Sequence, residues 1–149
     1  MSQSAMPDVL EASDLHLLTE IGMLGAGAGA SLAGCTRSLF EGLMTLRPAR
    51  DFGYIGLACA HLNQQRPEDA VRVLEQGLRI MDSSGAAPQG EDVAMVKAFL
   101  GMALLMARRT AEALALLESV CSSTQHLPAL RMSQGLLGLP FHNALKENS

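Results

Sequence analysis

The chain has 149 residues, a length that suits one domain. Apolar residues make up 48% and charged residues 17%, which provides for a core and excludes the highly charged, weakly apolar composition of a disordered chain. Lys plus Arg number 11 and Asp plus Glu 15, a net charge of −4, so a nucleic-acid partner, held through neutralised phosphates, is not expected.

Residues 1–13 are polar, contain Pro7 and read as a flexible N-terminal arm. Ser13 or Asp14 suits a helix cap, and Leu15, Leu18 and Ile21 then share a face. The glycines at 25, 27 and 29 loosen that helix, since an interior glycine costs about 1 kcal/mol against alanine. A second helix is predicted from Ser31 to Leu46, ending before Pro48. From Asp51 onward, Tyr54, Leu57, Ala58, His61 and Leu62 recur at helical spacing. Asn63–Arg66 is a polar turn, and Pro67 with Glu68 and Asp69 suits the first turn of the next helix. Its apolar stripe is Ala70, Val71, Leu74 and Leu78. Ser83–Gly90 reads as a loop. Helices follow from about Glu91 to Ala107 and from Ala111 to Ser122, with a last one after Pro128 and a frayed tail at 141–149. No segment alternates with period two, so no strand is predicted.

An internal repeat emerges. Glu68, Ala70 and Leu74 recur as Ala111, Ala113 and Leu117, and Leu57, Ala58 and His61 as Leu100, Gly101 and Leu104, with both sets marking the same helix–turn–helix pattern. The Ala58–Gly101 and Ala70–Ala113 offset is 43 residues, and without the Ser83–Gly90 insertion it falls to about 34, the length of a tetratricopeptide unit. An earlier copy places Thr36 at the Ala70 position and Phe40 at the Leu74 position. Such helices cross closely where a small residue faces a large one: Ala58, Gly101, Ala70 and Ala113 are the small partners, Leu57, Leu100, Leu74 and Leu117 the large ones. One unit cannot bury its apolar face alone, so units stack. The expected fold is all-α: a tetratricopeptide-like helix–turn–helix solenoid over 14–140, with repeats at 17–50, 51–84 and 94–127 and a capping helix at 128–140. A stack of helical hairpins without repeat ancestry is the alternative.

In a solenoid of this kind the first helix of each unit lines the concave side. The residues assigned to that groove are Leu18 and Ile21, with Gly25 and Ala28; Phe52, Ile55, Cys59 and Leu62; and Met95, Ala98, Met102 and Leu105. The face is apolar and rich in adaptable methionine, which suits an apolar helix or extended peptide. Ile55 and Cys59 stand where repeats that grip acidic chain ends carry cations and asparagine, which excludes that role. The competing reading of the stripe is core, covered by other segments or by a second copy.

No residue constellation supports catalysis, a cofactor or a metal. Cys35, Cys59 and Cys121 have neither disulfide-scaffold nor metal-ligand spacing and read as reduced thiols. His16, His61, His126 and His142 are scattered, and His61 falls at a packing position. The Gly25–Gly29 stretch lacks the Lys-Ser/Thr of a phosphate loop. The start of the chain lacks the basic residues of a secretory leader, and its longest uncharged stretch, Ile21 to Thr36, is shorter than the ~20 apolar residues that span a bilayer. A cytoplasmic protein without membrane insertion is expected.

Leu39-Phe40-Glu41-Gly42-Leu43, Leu46-Arg47-Pro48, Tyr54-Ile55-Gly56-Leu57-Ala58-Cys59-Ala60, Pro67-Glu68-Asp69-Ala70, Ala98-Phe99-Leu100-Gly101 and Glu112-Ala113 together resemble the tetratricopeptide chaperones of bacterial type III secretion. The resemblance spans Leu39 to about Ser122. It implies a small, acidic, cytosolic chaperone that uses no ATP and holds a hydrophobic translocator, or a needle or filament subunit, before export. The partner implied is a secreted client or a co-chaperone, with a homodimer left open. The groove aromatics usual among translocator chaperones are largely missing. A repeat scaffold whose apolar face stays covered by self-association is the second reading.

Overall fold

Helix-breaking punctuation divides the chain into short amphipathic and apolar segments. The computed structural model describes residues 33–83 and 90–139, together with Leu17 and Glu20. Over these it is helical, without strands: α1 (Ala33–Leu46), α2 (Phe52–Asn63), α3 (Pro67–Ser83), α4 (Gly90–Met106), α5 (Thr110–Ser123) and α6 (Leu127–Leu136). Pro48 follows the end of α1, and Pro67 opens α3 with Glu68 and Asp69 beside its positive pole. Pro128 lies in the first turn of α6, one residue after that helix begins. The predicted arm at 1–13, the helix bearing Leu18 and Ile21, the glycine-rich stretch, most of the Ser83–Gly90 loop and the tail at 141–149 lie outside the described residues.

The turns α2–α3 and α4–α5 share one hydrogen-bond pattern. The amide of Arg66 donates to the carbonyl of His61 at 2.9 Å, and the amide of Arg109 donates to that of Leu104 at 2.9 Å. Gln65 and Arg108 donate in the same way to Leu62 and Leu105, at 3.0 Å each. Both close the helix with a left-handed residue, Gln65 at φ 59° and Arg108 at φ 63°. That conformation usually falls to glycine, because a Cβ crowds the following carbonyl. Gln65→Gly and Arg108→Gly are therefore each expected to raise stability by about 1 kcal/mol, read as a higher urea midpoint with an unchanged slope. An unchanged or lowered midpoint would place the strain elsewhere. An Arg and an acid three residues on recur after each turn: Arg66 pairs with Asp69 at 2.5 Å, Arg109 with Glu112 at 2.7 Å. Arg109 also reaches Glu68 of the other hairpin at 3.3 Å.

Each helix packs on the next, and α2 also touches α4 while α4 also touches α6. The small and large positions meet in the core. Ala58, Ala70, Leu74, Ala113 and Leu117 are fully enclosed. At Gly101 an added Cβ would fall 2.4 Å from Leu117 Cδ2, so only a glycine lets α4 and α5 approach this closely. The same device joins α1 to α2, where the Phe40 ring sits against Gly56. Thr36, which the sequence pattern matches to Ala70, is buried as well. The Tyr54 hydroxyl donates to the Pro48 carbonyl at 2.9 Å and ties α2 to the end of the α1 segment.

Candidate partner-binding face

Of the two helices assigned to the groove, α2 carries no charge and α4 carries little beyond its acidic first turn. Between Phe52 and Asn63, α2 carries no Asp, Glu, Lys or Arg, and from Val93 to Met106, α4 carries only Lys97. Neither helix shows the one-sided polarity of a surface helix, because neighbours cover several sides of each. Ile55 and Leu62 of α2 share one buried cluster with Val96, Leu100 and Ala103 of α4. Cys59, Met95, Met102 and Leu105 pack against its edge.

Exposure separates the assigned residues into two groups. Phe52 is 42% exposed, and Cys59, Met95, Met102 and Leu105 are half-buried. Ile55, Leu62 and Ala98 are buried, Ile55 to 5%. Ala98 is closed off by Val120 of α5 and Ala129 of α6, so the last helix already covers that part of the α4 strip. Leu18 and Ile21 lie outside the described residues. Met106, 46% exposed at the end of α4, extends the accessible strip one position beyond the assigned set. It continues the spacing of Met102, a signal the sequence carried.

The polar groups near this face are chemically quiet. Burial raises the Cys59 thiol above its ordinary value, so it stays protonated and is a poor nucleophile. Burial lowers His61 below the ordinary histidine value, against the pull of Asp69, so the imidazole is neutral at pH 7. Among the described residues no three His, Cys, Asp or Glu side chains gather as metal ligands would. An open cleft of about 540 Å³ lies where α4 begins and α5 ends. Lys97, Glu91 and His126 line it, with His126 Nδ1 3.9 Å from Glu91 Oε2, so the cleft holds a cation and a carboxylate together.

One polar feature has no counterpart in the sequence reading. The carboxyls of Asp51, just before α2, and Asp92, in the first turn of α4, are both buried and lie within hydrogen-bonding reach of each other. Arg50 Nη1 stands 3.5 Å from Asp92 Oδ2, and the Arg50 guanidinium lies 5.6 Å from the centre of the Phe52 ring. No family model, curated protein or solved structure matches the chain. Among the described residues no helix is long and apolar enough to cross a membrane.

Proposed function

We propose that this chain is a tetratricopeptide-type chaperone of the type III secretion kind, a binding protein and not an enzyme. It holds an amphipathic segment of a secreted subunit, a translocator or a needle or filament protein, and keeps it soluble in the cytoplasm before export. The observation that carries this reading is the adjoining of α2 and α4. The uncharged α2 lies in contact with α4, which has only Lys97 as a charge from Val93 onward, and the two leave Phe52, Cys59, Met102, Leu105 and Met106 at least partly accessible. The matching turns at Gln65 and Arg108 support descent from one repeated unit. A soft Met/Leu surface with few polar anchors gives an affinity that masks the client and still permits release.

The burial of Ile55, Leu62 and Ala98 favours the second reading in one respect, since part of the stripe is already core. In that reading the rest of the face is covered by a second copy, and the chain is a scaffold. The test uses Met102→Glu and Leu105→Glu, each adding a charge at a half-buried position. Under the chaperone reading both variants keep full helical circular dichroism and lose the ability to keep the co-expressed client soluble. Under the scaffold reading they split an oligomer, and no client is solubilised by the parent chain.

A further inference from the structure

Asp51 stands directly before α2, where an aspartate ordinarily accepts hydrogen bonds from first-turn amides. Its side chain makes no such bond, and its backbone is already helical at φ −74°, ψ −27°. The carboxyl turns inward to Asp92 instead. Both residues are more than nine-tenths buried, with 7% and 5% exposure. Among the described residues no other group donates a hydrogen bond to Asp51 Oδ1 or Asp92 Oδ2, and Asp92 is the side chain that meets the Asp51 carboxyl. Ionised carboxylates only accept hydrogen bonds, so two carboxyls joined by one must hold a proton between them. Two charges enclosed side by side would repel strongly.

Among the described residues, the charged groups acting most on Asp51 are Asp92 from α4 and Arg50 from the turn before α2. The other charged side chains on the elements around it are Arg37, Glu41 and Arg47 of the α1 segment, Glu75, Arg79 and Asp82 of α3, and Glu91 and Lys97 of α4, and none of them is among the main influences on it. Arg50 is placed between two roles: it lies over the exposed Phe52 ring and faces Asp92.

We propose that Asp51 and Asp92 form a proton-operated latch, in which one shared proton holds the starts of α2 and α4 together and its loss frees the Arg50–Phe52 edge of the groove. Loss of the proton leaves two carboxylates for one guanidinium, which draws Arg50 inward and away from the ring. The latch itself depends only on the two aspartates; its effect on a client rests on the partner-binding reading above. Burial first, then the hydrogen bond and charge of Asp92, push Asp51 up from 3.8 to about 7, against the opposing pull of Arg50. The folded chain therefore keeps a proton that the unfolded chain has already released between pH 3.8 and about 7. Stability falls as pH rises through that window and levels off above it. His61 contributes the opposite slope below 6.5, because burial lowers it.

The test compares the unmodified protein with Asp51→Asn at pH 5 and pH 8. The asparagine keeps a hydrogen bond to Asp92 without needing the proton, and it leaves the His61 contribution in place. The folding equilibrium constant of the unmodified protein is expected to fall about a hundredfold relative to the variant between these values, from one linked proton over two pH units of the window. The amide of Ile55, which donates to the Asp51 carbonyl at 3.0 Å, should lose exchange protection at pH 8 only in the unmodified protein. Equal pH dependence in both proteins would overturn the latch. If Asp51→Asn does not fold, carboxyl carbon NMR of the unmodified protein decides. An aspartate titrating near neutral pH supports the proposal, and titration of every aspartate below pH 5 refutes it. Neither result depends on a client, so failure of the latch and failure of the chaperone reading are separable.

Discussion

Phe40→Ala is expected to destabilise the protein by about 3–5 kcal/mol, the cost of emptying a large aromatic site in a closed core. The ring is completely buried and fills the space that Gly56 leaves open on α2. Little beside it can collapse inward, because Leu43, Leu57 and Ala60 are themselves buried around it. The converse change, Gly56→Ala, puts a Cβ 1.9 Å from Phe40 Cε1 and should cost about 1–3 kcal/mol through overpacking. The double variant discriminates between ring-to-glycine packing and two independent defects. Once the ring is gone, the added methyl enters vacant space, so the pair should cost clearly less than the sum of the singles. Strict additivity in urea denaturation would mean that α1 and α2 are not joined by this contact.

Ile55→Glu should destabilise the fold severely, whereas Met102→Glu should leave it intact. Both residues belong to the assigned groove, yet Ile55 is buried with Tyr54, Ala58 and Val71, and Met102 sits at the margin of that cluster. An unpaired charge in the interior costs about 3–5 kcal/mol or more, against a total stability of about 5–15 kcal/mol for a typical domain. At Met102 the carboxylate can remain in water. Circular dichroism and a thermal melt read the difference directly. Comparable melts for the two variants would show that the Ile55 site is open to solvent, contrary to its 5% exposure. The distinction also governs the choice of functional variants: a charge at Ile55 reports on folding, and a charge at Met102 or Leu105 tests the proposed binding face.

The helical core was legible because helix crossings leave a record in residue size. Ala58, Ala70, Leu74, Ala113 and Leu117 recur at fixed spacing, and all are enclosed in the structure. The two turns were less legible. A left-handed residue is usually announced by glycine or asparagine, and here it is Gln65 and Arg108. Periodicity identified the face shared by Phe52, Ile55, Cys59 and Leu62, but it carries no information on how far the next helices close over that face. Ile55 and Leu62 are buried among residues of α3 and α4, and Ala98 by α5 and α6, a tertiary effect with no local signature. The Asp51–Asp92 pair is of the same kind. Each residue alone reads as an acid at a helix start, and no spacing rule joins positions separated by a helical hairpin and a loop.

The most direct measurement is the mass and composition of the complex purified from the native host, by native mass spectrometry with identification of each component. The account predicts a stoichiometric complex with a small secreted protein that contains a long amphipathic helix, lost when Met102→Glu replaces the parent chain. A homo-oligomer of this chain alone, dissociated by the same substitution, would contradict it and assign the α2–α4 face to self-association.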